Sequence, residues 1–442
     1  MHILQVTNHG LHEWEITPGL PDTGGQNIYV NQMSAALVRL GHQVTIVNRG
    51  GYPHPRSGKQ RTGRVPGLDG GGEIVYLTDD ESVFVRKEDM RERLPALSAE
   101  LSRLMDEKSF DLIISHYWDG GVLAAMANRR QLESLPHIWV PHSLGALKKT
   151  NVDPAEWPIL RIDERISEER DLVGVVDGVA ATSVAIRDTL RTHYAHDPAH
   201  FLPPGIDHER YRPRPREECA DVWEFLGAVM GRSPADLEHR PLVVEVSRTD
   251  LTKRKDVLLR AFALAREIVP DAMLAVTIDQ SDEVLYDKLL SMIHDLGLDD
   301  HVAVLGSVWD KLPCLYASCD VYCTPSVMEG FGMSAQEAAA SRVPVVASDL
   351  VPFATEFLIG DSPVPLDVPD GEPILVGDGA IVVEADSVPG FAQALMVLLT
   401  DAGLRRRLGD QALAITVPAF GWDRLLATFL DSIAPELRGS HG

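Results

Sequence analysis

The sequence predicts an α/β fold with two doubly wound parallel sheets, one in each half of the chain. Short apolar segments of strand length alternate with amphipathic stretches of helical length, which is the pattern of parallel strands joined by crossover helices. This alternation occurs twice, and a segment rich in proline and charge, residues 203–215, separates the two series. A chain of 442 residues is also too long for a single hydrophobic core.

Each predicted strand is a short run of mostly apolar, often β-branched residues. The first series comprises residues 3–7, 44–48, 74–77, 112–115, 138–141 and 179–182. The second series comprises residues 242–246, 273–277, 302–305, 321–324, 343–347 and 381–383. Residues 51–72 are rich in glycine and proline and are expected to form a long loop. We therefore expect an N-terminal domain of residues 1–212, a C-terminal domain of residues 213–420 and a C-terminal helical segment, residues 421–442.

Composition and charge exclude several classes of protein. The hydrophobic content of 45% is ample for burial, yet no apolar run approaches the roughly 18 residues that span a bilayer. The chain begins directly with a predicted strand, so we expect a cytoplasmic protein. The formal net charge of −24 argues against nucleic acid or an anionic membrane as a partner. The four cysteines lack metal-site spacing, so reduced structural thiols are expected.

A glycine-containing segment in the second half carries the most specific chemistry. Gly330 and Gly332 let a ligand approach the backbone, and a helix predicted to begin at Met333 presents free N–H groups that favour a diphosphate. The carboxylates of Glu329 and Glu337 can each accept hydrogen bonds from vicinal hydroxyls, so one suits a hexose and the other a ribose. The segment therefore indicates a nucleotide-sugar site, with a solvated loop and an ordinary helical glutamate as the alternative.

Basic residues follow the first predicted strand of the second half. Arg248 and Lys253 are placed to reach the carboxyl edge of the sheet together, and their charge is complementary to a leaving diphosphate. A basic surface turn is the alternative. Arg254 and Lys255 are expected to begin the next helix.

Loops after strands of the first half carry a second set of polar residues. Gly24 and Gly25 precede a helix and suit a phosphate, and Gln26 can bond to a sugar hydroxyl. His116 opens an aromatic and polar cluster of the kind that stacks against sugar rings, and His142 lies in a loop after the next strand. A plain tight turn and structural histidines remain open as alternatives.

Together these segments resemble the retaining glycosyltransferases of family 4, and most closely their bacterial sucrose-phosphate synthase and mannosylfructose-phosphate synthase branch. The matching segments occur in the family's order and are residues 21–26, 116–121, 141–145 and 203–207, Arg248 with Lys253, and residues 329–337. The resemblance implies a GT-B architecture, in which two Rossmann-like domains face a central cleft. It also implies that the C-terminal helix crosses back to the N-terminal, acceptor-binding domain, while the C-terminal domain binds the nucleotide-sugar.

The resemblance further implies individual roles in donor binding and catalysis. The implied donor-binding residues are Gly24, Gly25, Arg248, Lys253, Glu329, Phe331, Gly332, Met333 and Glu337. Within this set Arg248 and Lys253 would hold the diphosphate. Glu337 would hold the ribose and Glu329 the hexose. His142 would support the positive charge that develops on the hexose, which makes it catalytic together with Arg248, Lys253 and Glu329.

The resemblance implies acceptor-binding residues less completely than donor-binding residues. Lys87, Lys148 and Arg165 match positions that hold an acceptor phosphate in the sucrose-phosphate branch, and Gln26 and His116 would contact the acceptor as well.

This chain also departs from the branch in places. Glu164 stands where the branch tends to carry a second arginine, so a different sugar phosphate, a glycerate-type acid or an unphosphorylated sugar remains open as acceptor. Residues 348–356 and 360–379 also depart from the family pattern near the donor site, which leaves the donor base open.

We therefore expect an enzyme: a retaining hexosyltransferase that works without a metal or cofactor. It would move glucose or mannose from a UDP-, GDP- or ADP-hexose to a small sugar or sugar-phosphate acceptor by front-face substitution. The alternatives are a transferase acting on a glycan, a glycerate-type or a lipid-linked acceptor, a non-catalytic nucleotide-sugar-binding protein, and an oxidoreductase. No Gly-x-Gly-x-x-Gly follows the first strand, which argues against the oxidoreductase. The sequence does not indicate an oligomeric state.

Overall fold

The computed structural model describes residues 1–16, 20, 22–280, 282–306, 308, 310–369 and 371–439. The chain forms two compact units, of which the first comprises Met1–Gly205 with Trp422–Gly442 and the second comprises Ile206–Gly421. The boundary between the two units, after Gly205, precedes the predicted boundary at residue 212, because residues 206–212 belong to the second unit and some of them bond or pack there. The Ile206 N–H donates to the Phe420 carbonyl oxygen at 2.8 Å, and the Tyr211 ring packs against the Tyr316 ring at a centroid distance of 5.9 Å.

The strands are numbered along the chain. Those of the first unit are β1 (His2–Val6), β2 (Gln43–Arg49), β3 (Gly63–Gly67), β4 (Gly72–Leu77), β5 (Leu112–His116), β6 (His137–Val140), β7 (Gly178–Ala181) and β8 (His200–Phe201). Those of the second unit are β9 (Leu242–Glu245), β10 (Met273–Thr277), β11 (Val302–Leu305), β12 (Val321–Thr324), β13 (Val345–Ser348), β14 (Val364–Val368), β15 (Gly371–Val376) and β16 (Ala380–Val383).

The helices are numbered in the same way. The helices up to residue 205 are α1 (Gly25–Arg39), α2 (Leu94–Glu107), α3 (Tyr117–Asn128), α4 (Gly145–Asn151), α5 (Ile162–Val173) and α6 (Val184–Tyr194). The helices of the second unit are α7 (Ala220–Met230), α8 (Pro234–Leu237), α9 (Lys255–Ile268), α10 (Glu283–Asp295), α11 (Leu312–Ser318), α12 (Met333–Ala340), α13 (Val388–Thr400) and α14 (Ala402–Phe420). The chain then returns to the first unit with α15 (Trp422–Ser432) and α16 (Ala434–Gly439).

The first unit contains an eight-stranded sheet in the order β3-β4-β2-β1-β5-β6-β7-β8. Its pairs are parallel except for β3, which runs antiparallel to β4 at the sheet edge. The prediction that residues 51–72 form only a loop is therefore wrong for Gly63–Gly67. An edge strand tolerates a proline such as Pro66 because one row of its backbone groups needs no partner, and glycine and proline hide such a strand from pattern recognition.

The second unit contains another eight-stranded sheet, in the order β11-β10-β9-β12-β13-β16-β15-β14. Its central pairs are parallel, and β14 and β15 form an antiparallel hairpin at the edge. This hairpin accounts for much of residues 360–379, the stretch that departs from the family pattern. The predicted doubly wound α/β fold is confirmed in both halves of the chain.

The C-terminal helix completes the core of the first unit. Trp422, Leu426 and Phe429 on α15 are buried in the same apolar cluster as Tyr29 and Met33 on α1. The Trp422 indole also packs edge-on against Tyr29 at a centroid distance of 5.0 Å. The predicted return of the C-terminal helix to the N-terminal half is therefore confirmed.

The strand orders determine where each unit can bind a ligand. β1 lies between β2 and β5, and β9 lies between β10 and β12, so the direction of winding changes beside β1 and beside β9. Open α/β sheets bind ligands outside the carboxyl ends of the strands at such points. The loops that follow β1, β5, β9 and β12 are therefore the first places to look for function. Among the helices of the described residues, none is long and apolar enough to cross a membrane.

Candidate functional site

In the second unit, the loops after β9 and β12 are bonded to each other. The Val327 N–H donates to the Thr252 carbonyl oxygen at 2.8 Å. Lys253 Nζ lies 2.6 Å from Glu329 Oε1, and the two side chains are 9% and 22% exposed. The structure thus brings together the lysine predicted for the diphosphate and the glutamate predicted for the hexose.

Arg248 lies in the same loop but does not join the Lys253–Glu329 pair. Its side chain is 70% exposed, and Nη2 lies 3.5 Å from Asp250 Oδ2. The base of the loop is held by Lys255, whose Nζ donates to Glu245 Oε2 at 2.5 Å. As predicted, α9 begins at Lys255. The loop is therefore anchored underneath while the Arg248 guanidinium remains available to a ligand.

Gly332 and Phe331 shape the turn that leads into α12. Gly332 has φ 105, and a Cβ there would lie 2.7 Å from Val351 Cγ1, so both backbone conformation and space require glycine. The Phe331 ring is buried and packs against Phe353 and Phe420, with centroid distances of 5.4 and 5.8 Å. The aromatic side chain therefore anchors the turn, which leaves the backbone of Phe331, Gly332 and Met333 as the part that could meet a ligand. The first N–H groups of α12 have no acceptor within the helix.

Glu337 lies on α12 and is 7% exposed. Burial raises the pKa of its carboxyl to about 7, against the opposing influence of the Tyr316 and Tyr211 hydroxyls and of Arg210. Burial raises the pKa of the Tyr322 hydroxyl, and the negative charges of Glu245, Glu329 and Glu337 add to the rise. A buried carboxylate with a raised pKa beside tyrosines is costly in the free protein and is typical of a functional position.

We predict that Glu337→Gln stabilises the protein at pH 8 but much less at pH 5.5. The folded-state pKa of Glu337 lies above the usual value of a glutamate, so the folded protein loses stability as pH rises from about 4.5 to about 7. Glutamine carries no charge and removes this loss, which is roughly 3 kcal/mol, or several degrees in Tm. Thermal melts of both proteins across this pH range test the prediction. A Tm difference that does not change with pH would contradict it.

In the first unit, His116 and His142 lie at the carboxyl ends of β5 and β6 and share a hydrogen bond. His116 Nδ1 lies 2.9 Å from His142 Nε2, and His116 Nε2 lies 2.9 Å from Gln5 Oε1. His116 is fully buried, so neither ring nitrogen is left for a substrate. The prediction that His116 contacts the acceptor is therefore corrected: its ring supports His142 instead.

His142 occupies an unusual backbone conformation. Its φ is 54, and the Ser143 N–H donates to the Pro141 carbonyl oxygen at 2.6 Å across it. Such a tight three-residue turn is strained for a residue other than glycine and is often found at functional sites. Burial, with a smaller contribution from His9, lowers the pKa of His142 to about 3, so the ring is neutral.

Gly24, Gly25 and Gln26 meet at the start of α1. Gly24 caps the helix, and its N–H donates to Asn27 Oδ1 at 3.0 Å. Gly25 is exposed, and a Cβ added at Gly24 would meet no atom within 4 Å, so the helix N-terminus is open beside it. Gln26 Nε2 donates to Thr7 Oγ1 at 3.0 Å in the loop after β1. Pro21, which begins the matching segment, lies outside the described residues.

Lys87, Lys148 and Arg165, predicted for an acceptor phosphate, line one recess of the first unit with Tyr117. Lys87 Nζ forms an ion pair with Asp22. The side chain of Lys148 makes no hydrogen bond or ion pair with any described residue. Burial, helped by the charges of Lys87 and Arg165, lowers the pKa of Lys148 to about 8. Lys148 is thus a partly desolvated cation without a protein anion of its own.

Arg165 is committed to the protein. Its Nε donates to Glu169 Oε1 at 2.7 Å, its Nη1 to the Tyr117 hydroxyl at 2.5 Å and its Nη2 to the Ser143 carbonyl oxygen at 2.7 Å. Arg165 is 6% exposed, so the prediction of a direct acceptor contact is corrected. The guanidinium instead fixes the Tyr117 hydroxyl and the turn that holds His142, and it adds positive charge behind the recess.

Glu164 is neutralised at the rim of the recess. Its Oε2 accepts from Arg161 Nη2 at 2.7 Å and lies 3.4 Å from Arg91 Nη1. The hydrogen bond from Arg161 lowers the pKa of Glu164. Because two arginines neutralise this carboxylate, it repels an incoming phosphate far less than the sequence suggested.

His9 and Tyr117 were missed by sequence reasoning. His9 Nδ1 lies 2.8 Å from the buried Asp119 Oδ1, and its ring is 4.6 Å from that of Tyr117. Tyr117 has φ 63, a second strained residue after a strand. His9 follows β1 closely, so the expectation that functional residues lie in loops after strands would have identified it, had it been applied to residues 7–10. Tyr117 lies within a matched segment but has no sequence feature that marks its conformation.

Comparison with known protein families now defines the class. The family model described as Glycosyltransferase Family 4 matches residues 23–210, and the model described as Glycosyl transferases group 1 matches residues 232–414. These ranges contain every strand of the two sheets except β1, and they contain the loops after β5, β6, β9 and β12. The architecture of two parallel-sheet α/β units is that of the GT-B glycosyltransferases.

Relatives with assigned names are similar over most of their length. D-inositol 3-phosphate glycosyltransferase of Arthrobacter sp. (strain FB24) is 30% identical over 433 residues, which cover 94% of this chain and 91% of the relative. Mannosylfructose-phosphate synthase of Agrobacterium fabrum is 29% identical over 368 residues, covering 78% of this chain and 76% of the relative. The chain belongs to glycosyltransferase family 4.

Solved structures agree on the fold. Sucrose-phosphate synthase from Thermosynechococcus elongatus has a TM-score of 0.79 at 20% identity, with 99% of each chain covered. Anabaena HepE in complex with UDP and glucose has a TM-score of 0.69 at 18% identity, covering 98% of this chain and 100% of that one. At such identities the likeness shows the GT-B fold and leaves the substrates of this chain to be argued from its own residues.

Proposed function

We propose that this protein is a retaining hexosyltransferase that moves glucose or mannose from a nucleoside diphosphate hexose to a small phosphorylated sugar or cyclitol. The observation that carries the acceptor class is Lys148, a partly desolvated cation without a protein anion, beside Lys87 and Tyr117 in a chain of net charge −24. Positive charge concentrated in one recess of so acidic a protein favours an anionic ligand. The names of the relatives above, which include phosphorylated acceptors or products, support the same class.

The second unit supports the donor half of the proposal. Lys253 and Arg248 supply cations for a diphosphate, Glu329 can accept hydrogen bonds from hexose hydroxyls, and α12 offers free N–H groups at its start. Glu337 is proposed to hold the ribose, whose hydroxyls would satisfy its buried carboxylate. The donor base stays open among UDP, GDP and ADP.

Front-face substitution is the proposed mechanism. As the hexose departs, charge builds on the diphosphate, which Lys253 and Arg248 stabilise, and a diphosphate oxygen takes the proton of the acceptor hydroxyl. The acceptor attacks from the side that the leaving group vacates, so the anomeric configuration is retained. Glu329 is paired with Lys253 and Asp119 with His9, so neither carboxylate stands free as a nucleophile. A covalent glycosyl-enzyme trapped on either residue would contradict this mechanism.

The proposed reaction needs no cofactor and no metal ion. Lys253 and Arg248 supply the positive charge that a metal ion gives the leaving group in other transferases. Across the described ranges, no three His, Cys, Asp or Glu side chains are grouped so that they could hold a metal ion. Equal turnover in the presence of EDTA and of added Mg²⁺ is the expected result.

The function is tested by a matrix of donors and acceptors. UDP-, GDP- and ADP-glucose and the corresponding mannose donors are first ranked by thermal shift, because a ligand that binds the folded state raises Tm. The stabilising donor is then incubated with sugar phosphates, inositol phosphate and their unphosphorylated counterparts. Release of nucleoside diphosphate that depends on a phosphorylated acceptor is expected. Equal release without any acceptor, or transfer only to unphosphorylated sugars, would contradict the proposal.

We predict that Lys148→Met lowers kcat/KM for the phosphorylated acceptor by about 10- to 100-fold, mainly through KM. This is the range for losing one charge-assisted hydrogen bond. Lys149 provides the matched control, since it is the neighbouring lysine and pairs with the exposed Asp163 at 2.5 Å. Lys149→Met should leave the acceptor KM unchanged.

The same lysine predicts a pH dependence. Lys148 is protonated below its lowered pKa of about 8 and loses its charge above it, so kcat/KM for the phosphorylated acceptor should fall as pH rises through 8. Lys148→Arg keeps its charge and should abolish that fall. A pH profile that is identical in wild type and Lys148→Arg would remove Lys148 from the acceptor site.

A further inference from the structure

A chain of hydrogen bonds crosses the first unit and ends on His142. Ser34 Oγ lies 2.7 Å from the Val30 carbonyl oxygen, and Gln5 Nε2 lies 2.6 Å from Ser34 Oγ. Gln5 Oε1 lies 2.9 Å from His116 Nε2, and His116 Nδ1 lies 2.9 Å from His142 Nε2. Gln5, Ser34 and His116 are fully buried, so water does not compete for these bonds.

The hydrogen bond between Ser34 and Val30 determines which atom is the donor in each of the other hydrogen bonds of this series. A backbone carbonyl can only accept, so the Ser34 hydroxyl donates its proton to Val30. The Ser34 oxygen then accepts, and the group that faces it must be the NH₂ of Gln5. This orientation turns the Gln5 carbonyl oxygen toward His116.

The direction continues through the two imidazole rings. Burial lowers the pKa of both His116 and His142, so each ring is neutral and carries one proton. His116 Nε2 must hold its proton, because Gln5 offers it an acceptor, and His116 Nδ1 is therefore an acceptor. His142 Nε2 must then be the donor, which leaves His142 Nδ1 with a lone pair.

We infer that Gln5 and Ser34 are positioning residues that, through His116, hold His142 as the Nε2–H tautomer with Nδ1 as a hydrogen-bond acceptor. His142 Nδ1 has no hydrogen-bonding partner among the described residues, and the residue is not fully buried. A hydroxyl of the donor hexose is the group that such an atom would bind. This part rests on the proposed function, the transfer of a hexose.

Hydrogen bonds that all donate in the opposite direction would give His142 the other tautomer. If Gln5 were turned around, its NH₂ would donate to His116 and the proton of His142 would sit on Nδ1, where it would offer a donor to the substrate. The Ser34 hydroxyl would then face two acceptors, the Gln5 carbonyl oxygen and the Val30 carbonyl oxygen, with a single proton. If it donated to Gln5, no proton would lie between the Ser34 and Val30 oxygens, which are 2.7 Å apart. That arrangement loses a buried hydrogen bond, which carries a desolvation cost.

The tautomer is measured by long-range ¹H–¹⁵N spectroscopy on the full-length protein with ¹⁵N-labelled histidine. Protonated and unprotonated ring nitrogens have well separated ¹⁵N shifts, and signals are assigned by their loss in His142→Gln and His116→Gln. The expected result is a protonated Nε2 and a bare Nδ1 in both rings. A protonated Nδ1 on His142 overturns the inference, whatever the protein's substrates are.

Gln5→Glu tests whether the tautomer matters for turnover. A carboxylate beside His116 Nε2 favours the doubly protonated ring, whose Nδ1–H then donates to His142 Nε2 and moves the His142 proton to Nδ1. The expected result is that switch in the spectrum together with a fall in kcat of roughly tenfold or more, the scale for outer positioning groups. Gln131→Glu places the same charge change on the first unit in a residue that bonds Ser102, and should leave both readouts unchanged.

Two further results separate the inference from the proposed function. Binding of the nucleoside diphosphate alone should be unchanged in Gln5→Glu, because Gln5 is not among the residues expected to bind the donor. If Gln5→Glu does not fold, Ser34→Ala replaces it: with its anchor lost, Gln5 can turn, and a mixture of His142 tautomers with reduced kcat is expected. An unchanged kcat in a variant whose tautomer has switched overturns the positioning role and leaves the transferase proposal standing. If no donor and acceptor pair gives turnover, the transferase proposal is overturned, and the tautomer measured by ¹⁵N spectroscopy still tests the arrangement of Gln5, Ser34 and His116.

Discussion

Lys253→Ala should lower kcat/KM by about three orders of magnitude or more. Removing one donor that stabilises transition-state charge typically costs 10²–10³ in rate. Here the loss is compounded because Glu329, 2.6 Å from Lys253, would be left without its cation beside an incoming diphosphate. The expected result is therefore larger than for a cation that stands alone.

Steady-state kinetics with the donor identified by thermal shift check this prediction. Lys288→Ala is the matched control, since Lys288 is exposed on α10 of the same unit. The double variant Lys253→Ala with Glu329→Gln should be far from additive, because the two side chains act as a pair. Activity of Lys253→Ala within tenfold of wild type would show that the pair does not face the leaving group.

Arg248→Ala should lower kcat by roughly two to three orders of magnitude with little change in thermal stability. The side chain is 70% exposed and contributes little to packing, so its value to the protein lies in what it can bind. The separation of a large kinetic effect from a small stability effect distinguishes a ligand-binding arginine from a structural one.

Arg260→Ala supplies the control for that experiment. Arg260 lies on α9, its side chain is 49% exposed, and it approaches Asp256 at 3.8 Å. Turnover of this variant should equal wild type. If Arg248→Ala and Arg260→Ala behave alike, Arg248 has no part in the chemistry.

The parallel strands could be predicted from sequence because both of their faces are covered. β9 and β12 are buried along their whole length, so each begins as an apolar run, and only its last residue is polar or charged. β3, β14 and β15 could not be predicted, because each has several exposed residues and nothing local separates them from loops; β3 and β14 are edge strands, and β15 pairs with β14 in the hairpin beside the edge. Their pairing depends on a neighbouring strand.

For the candidate site as well, the sequence predicts the loops but not the contacts between residues that are distant along the chain. Sequence position identified the post-strand loops that contain Lys253, Glu329 and His142, because parallel strands bring their carboxyl ends to one edge. It could not reveal that His116 and Arg165 are saturated by protein partners. Gln5 is 111 residues from His116, and Tyr117 is 48 residues from Arg165. Distant partners of this kind are found only when the chain is folded.

The placement of α15 has a consequence for how this protein is made. Trp422, Leu426 and Phe429 complete the core around Tyr29, yet they are translated some four hundred residues after it. The ribosome must therefore synthesise α15 before the first unit can close its own interior, whereas the second unit is contiguous and has all its residues earlier. During synthesis the nascent N-terminal half exposes apolar surface, and it is the part of the chain that we expect to engage chaperones.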